Sequence, residues 1–369
     1  MLAAAIVAFA VTSDALPAQT PPAKAPKAAK VAKNDAKKTD NDTGPKKPKV
    51  SKLFKAESPA VEAVFTANLK QLRREKKEGA PYHPATISYT DSTGKKVDVP
   101  MRARTRGIWR LANCEFPPLR FNFANKSSKA TLFDDLDEPK FVSYCKGAAN
   151  AEQLVLRELQ LYRIYRLLTP ASHETRLMRV TYTDSATAKA EFTRYAIMVE
   201  DPARMAERMG GKMLDQKGAQ SDDLDANQSA IMFLFLYMIG NTDFSISGLH
   251  NGELLRMADG RVFPVAYDFD FSGAVDAPYA SPPPQLRIKS VRQRQFRGYC
   301  QIKDAYPAVV ALMQSKKDAI YALYTDAIGS LMEPKSVKET LEYYDEFYKD
   351  IATPKQFDNK LYGDCIKVG

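Results

Sequence analysis

"GNTDFSISGLHNGELLRMADGRVFPVAYDFDFSG", residues 240–273, decides how the rest of the chain is read. It opens on the polar turn Asn241-Thr242-Asp243. Two short apolar runs follow, ELLRMA and RVFPVAY, split by the turn-forming pair Asp259-Gly260. The pattern is a β-hairpin with polar groups at both ends: Asp243, His250 and Asn251 before it, Asp268 and Asp270 after it. Alternation in YDFDFSG puts Asp268 and Asp270 on one strand face, opposite Phe269 and Phe271. Two carboxylates about 7 Å apart on one face repel unless a cation or a donor lies between them. A folded-back hairpin brings Asp243 and Asn251 toward Asp268, an oxygen set suited to Mg²⁺.

Outward from the hairpin, residues 229–239, SAIMFLFLYMI, read as a buried helix too short to span a bilayer. DPARMAERMGG reads as a short helix with Asp201 at its cap and Pro202 in its first turn. AEQLVLRELQLYRIYRLL, residues 151–168, is an amphipathic helix stopped by Pro170. TRLMRVTYT, AEFTRYAIMVE, ATISYT, KKVDVPMRARTRG and PPLRFNF alternate as strands. Residues 58–77 carry Val61, Val64, Phe65 and Leu69 at helical spacing, residues 212–228 are polar and irregular, and 304–350 read as helical. The order predicts an α+β chain, rich in sheet early and in helix late, with a cleft between the two parts.

Composition narrows the function. The chain has 369 residues and a formal charge of +10. Residues 1–52 hold ten Lys against four Asp, so the remainder carries a surplus of only four positive charges. That distribution predicts no specific nucleic-acid partner. Leu2 to Val11 is an apolar run followed by small residues, which predicts a signal peptide over 1–18 and export to periplasm, envelope or exterior. Residues 19–52, rich in Lys, Pro and Ala, predict a disordered linker whose lysines make at most weak contact with an anionic envelope surface. The four cysteines lack CxxC spacing. They suit two disulfides, with sequence neighbours suggesting Cys114–Cys145 and Cys300–Cys365, or four buried thiols. Arg102, Arg104, Arg106 and Arg110 with Trp109 read either as a phosphate clamp or as a solvated strand face around a core tryptophan.

The chain resembles the spore-coat protein H (CotH) kinase family, atypical secreted kinases. The resemblance rests on the order of RTRGIW (104–109), PPLRFNF (117–123), LRELQLYRIY (156–165), TRYAIMVED (193–201), IGNTDF (239–244), His250-Asn251 and VAYDFDFSG (265–273). It implies a diverged bilobal protein-kinase-like fold, with an N-lobe over 53–200 and a C-lobe over 201–369. It implies transfer of the ATP γ-phosphate to a protein Ser or Thr hydroxyl by a monomer, with Mg²⁺ or Mn²⁺. Asp243 is then the catalytic base. Asn251, Asp268 and Asp270 hold metal. Arg106 and Arg120 meet phosphate, Arg120 standing in for the family's Lys. Glu158 pairs with Arg120, and the Glu200 backbone meets adenine. The alternative is a catalytically inactive kinase-like envelope or surface binding module.

Overall fold

The computed structural model describes residues 50–146 and 151–367. The signal peptide expected over 1–18, and the expected linker up to residue 49, lie outside the described residues. Order is present by Ser51, whose hydroxyl donates to the Asp134 carbonyl at 2.8 Å. Leu53 and Phe54 are already buried.

Alternation of inward apolar residues produces seven strands in the first half. They are β1 (Val61–Ala67), β2 (His83–Thr90), β3 (Lys96–Thr105), β4 (Leu119–Asn122), β5 (Lys140–Val142), β6 (Thr175–Asp184) and β7 (Lys189–Val199). They close into a barrel in the order β1-β2-β3-β4-β5-β7-β6. Every neighbour pair is antiparallel except β1 and β6, which run parallel along Val61–Ala67 and Met178–Asp184. Inward aromatic side chains fill the interior. Phe121 stacks on Phe141 at 4.5 Å and on Phe65 at 5.3 Å, and Tyr182 meets Phe65 edge-on at 5.9 Å. Each such ring contributes roughly 1.5–3 kcal/mol by leaving water.

The closed barrel overturns the bilobal protein-kinase-like fold. The physical reason is the β1–β6 pairing, which joins the two ends of the sheet and leaves it with no open edges. The helix expected over 58–77 is corrected by the same pairing. VEAVFTA fits period 2 as well as period 3.6, and β1 sits between β2 and β6, where Ala63, Phe65 and Ala67 point into the core. Only Leu69–Arg74 is helical there, capped by the Asn68 side chain accepting from the Gln71 amide at 2.9 Å.

After the barrel come β8 (Gly211–Leu214), β9 (Gly252–Met257) and β10 (Val262–Ala266), a small antiparallel sheet ordered β10-β9-β8. β8 falls in the stretch read as irregular. The helix Ala226–Ile239 packs against this sheet, with Asp225 capping its start. Gly240 ends it at φ +66°. A Cβ there would lie 2.1 Å from the Tyr343 hydroxyl, so glycine is required sterically as well as conformationally. The helix Ala151–Leu168 is buried on nearly all sides, including Glu158, Gln160 and Arg163.

Two disulfides are present, Cys114–Cys145 and Cys300–Cys365, the pairing of sequence neighbours. They fit an oxidising, exported environment. Among the described residues no helix is long and apolar enough to cross a membrane.

Candidate active site

The rim of the barrel supplies one wall of a cleft. Arg104 on β3 lies directly opposite Arg120 on β4, and Arg120 lies opposite Lys140 on β5. Directly paired residues share a face, so three cations form a row across three strands. Like charges in this arrangement repel, and each carries a partial remedy. Arg104 lies over the Tyr82 ring at 4.9 Å. Arg120 has Glu138 at 3.6 Å. Lys140 donates to Glu253 Oε1 at 3.0 Å and lies 3.5 Å above the Tyr267 ring. Beyond β3 the chain turns at Gly107, φ +87°, carrying Arg106, Ile108 and Trp109 along the rim. Arg104 and Arg106 have no carboxylate within ion-pair distance among the described residues, and both leave a buried Nε without a partner.

The opposite wall is the quoted segment. The Gly240 cap releases the chain into Asn241, whose side-chain oxygen accepts from the Asp243 amide at 2.8 Å. Asp243 Oδ2 accepts from Asn251 Nδ2 at 3.0 Å, and Oδ1 is 2.9 Å from His250 Nε2. The hairpin folds its ends together as expected: Gly252 pairs with Ala266, and the Tyr267 amide donates to the Asn251 carbonyl. These walls enclose about 670 Å³, lined by Arg106, Arg120, Lys140, Asp243, Asn251, Asp268 and Asp270 among others.

The backbone is strained at this place. Among the described residues seven non-glycine residues have positive φ, and three of them, Leu249, Asn251 and Asp268, line the cleft. Such conformations cost about 1 kcal/mol or more and cluster at functional sites. Asp268 at φ +61° also corrects the strand reading of YDFDFSG. β10 ends at Ala266, and a turn, not alternation, carries both carboxylates to the cleft. Phe269 anchors that turn in the core, 4.7 Å from Tyr162 and 5.2 Å from Phe235. The Asp268 amide donates to the Tyr162 hydroxyl at 3.0 Å, while its buried Oδ1 has no partner.

A buried charge cluster runs inward from the cleft lining, where Arg110 and Asp270 stand, to Glu158 behind it. Arg110 sits 3.9 Å from Asp270 Oδ2 and 4.0 Å from Glu158 Oε2, too far for hydrogen bonds. It donates instead to the Ser143 carbonyl. Asp270 also accepts from the Tyr279 hydroxyl at 3.1 Å. Burial, reinforced by the Asp268 charge, pushes the Asp270 carboxyl up to about 6. Burial and the Asp270 charge raise Glu158 well above the carboxylate range. The His250 imidazole is raised by its hydrogen bond to Asp243.

Glu158 therefore partners Arg110, not Arg120, and is outside the cleft lining. Glu200 is also outside it. Its carboxylate accepts from Arg208 at 2.9 Å, its amide donates to the Glu174 carbonyl, and its carbonyl is 3.0 Å from His173 Nδ1. Sequence reasoning missed Lys140 and Glu253. Burial opposes the carboxylate form of Glu253, yet Lys140 and His173 hold it down at about 2. Burial lowers the Lys140 ammonium, and Arg106 adds to that, against the pull of Glu253. The available signal was the lone Lys leading the apolar strand in EPKFV.

Among the described residues no group of three His, Cys, Asp or Glu side chains is placed to hold a metal by itself. Mg²⁺ commonly takes one or two carboxylates and fills its shell with phosphate and water, and Asp268 with Asn251 fits that mode. No protein-family model matches the chain, and no curated protein matches it.

Proposed function

We propose that this chain is an exported phosphotransferase of periplasm, envelope or exterior that moves the terminal phosphoryl group of ATP to a protein Ser or Thr hydroxyl. One observation carries the reading: four rim cations, Arg104, Arg106, Arg120 and Lys140, the first two without carboxylate partners among the described residues, share a cleft with a buried, unpartnered Asp268 oxygen. A polyphosphate with a divalent cation satisfies both sides at once. The motif order resembles that of the CotH kinase family, but the closed barrel departs from the fold that the resemblance implies, so the reading rests on the cleft.

Each side chain has a task. Arg104 and Arg106 present guanidinium forks that match phosphate geometry. Lys140 is a point charge fixed by Glu253, and Arg120 extends the row. Asp268 and Asn251 would hold Mg²⁺ or Mn²⁺, which neutralises phosphate charge when bound. Asp243, oriented by Asn251 and His250, takes the proton of the acceptor hydroxyl as that oxygen bonds to the γ-phosphorus and the bond to the departing ADP breaks. Arg110 and Glu158 support Asp270 from behind.

A second reading, a binding module without transfer, is favoured by the engagement of both Asp243 oxygens by His250 and Asn251. Labelled ATP with Mn²⁺ or Mg²⁺ and an exported-protein extract separates the two. The expected result is transfer by the wild type and a loss of about a hundredfold or more in Asp268→Asn, since Asn tolerates the left-handed backbone. Equal labelling by both proteins discards the transferase assignment.

A further inference from the structure

The cleft carries an aromatic feature that phosphate chemistry does not use. Among the described residues three large hydrophobic side chains are exposed, and two are neighbours at this cleft: Ile108 at 76% and Trp109 at 37%. Trp109 is not loose. It stacks on Tyr279 at 5.0 Å and 29°, and meets Phe271 edge-on at 5.4 Å. Tyr279 is fixed in turn by donating to Asp270. The result is a rigid indole, braced by Tyr279 and partly open to solvent, three residues beyond the unpaired Arg106. Exposed apolar surface beside a charged cleft marks a binding surface. The Glu200 backbone, expected to meet adenine, has both polar groups spent on Glu174 and His173.

We infer that Trp109 is the base-stacking subsite of the cleft, with Ile108 flanking the base and Arg104 and Arg106 taking the phosphates of the same nucleotide. This rests on the nucleotide reading above and assigns a place to the base. Stacking on an indole is sequence-tolerant and strongest for the larger purine rings, so the ligand class is a purine nucleoside triphosphate.

Trp109 is the only tryptophan in the chain, so its emission reports on this subsite alone. The full-length protein is titrated with Mg-ATP and with inorganic tripolyphosphate, reading tryptophan emission and binding heat together. ATP is expected to quench emission, and tripolyphosphate to bind with no quench. Trp109→Ala should weaken ATP binding about tenfold and leave tripolyphosphate unchanged, and Trp109→Phe should restore most of the loss. If ATP binds with unchanged emission, or both ligands quench equally, or Trp109→Ala binds ATP like wild type, the subsite is wrong while the nucleotide reading stands. If neither ligand gives binding heat, the nucleotide reading fails and takes the subsite with it.

Discussion

The Lys140–Glu253–His173 chain and the Arg110–Glu158–Asp270 cluster border the same cleft and bury similar charges, but they are completed differently. In the first, Glu253 accepts from Lys140 at 3.0 Å with one oxygen and lies 3.0 Å from His173 with the other. His173 meets the Glu200 carbonyl with its second nitrogen. In the second, Arg110 Nε and Nη1, Glu158 Oε1 and the nearby Asp268 Oδ1 are buried without partners. A buried charge is tolerable when its hydrogen bonds are filled and costly when they are not. The first cluster is therefore finished by folding. The second holds unfilled hydrogen-bonding capacity beside the cleft, the capacity that the proposed nucleotide and cation would fill.

The comparison breaks most visibly at Glu253. Glu253→Gln leaves Lys140 buried without its carboxylate and should cost about 3–5 kcal/mol, read by urea unfolding. Because the folded carboxyl is held near 2, its stabilisation is full above the ordinary Glu range and is lost progressively as pH falls from that range through about 2. A cost below about 1 kcal/mol at pH 7 would mean that the first cluster is no more complete than the second.

Asp270 should behave in the opposite sense. Its carboxyl is raised to about 6 by burial first and the Asp268 charge second. The folded state therefore binds the extra proton, and stability falls as pH rises from the ordinary Asp range to about 6. Asp270→Asn removes that loss. At pH 7 it should be more stable than wild type by roughly 1–3 kcal/mol, with a flatter pH profile between about 4 and 6. A variant destabilised at pH 7 contradicts the strain assigned here.

The smallest effect is expected at the cleft mouth. His250 is more than half exposed at its side chain, so its pair with Asp243 contributes only a few tenths of a kcal/mol. Its raised folded value means the contribution is full below the ordinary His range and fades as pH rises through the raised one. Imidazole titration by NMR should show His250 returning toward the ordinary range in Asp243→Asn.

Much of this architecture was legible in local pattern. The strands β2, β3, β4, β6 and β7, the cap at Asp201 and the β9–β10 hairpin follow from alternation and turn chemistry. The juxtaposition of Asp243, Asn251 and Asp268 followed from the hairpin alone. Closure of the barrel did not, because β1 and β6 pair across more than a hundred residues and no local signal specifies a partner. Lys140 was missed for the same reason: its ion-pair partner lies 113 residues away. Trp109 was weighed as a core residue, since nothing in RTRGIWR reveals that the Gly107 turn lifts it to the surface. Glu158 was correctly placed on a helix, but its cation, Arg110, follows β3 and not β4.

Thermal unfolding of the full chain with and without millimolar ATP and Mn²⁺, in wild type and Asp268→Asn, tests the unfilled cluster most directly. Binding to the native state alone should raise the wild-type midpoint progressively with ligand, about 2.7 kcal/mol at a hundredfold excess over Kd, and raise the variant far less. A wild-type midpoint that does not move, or one that moves equally in the variant, contradicts the account.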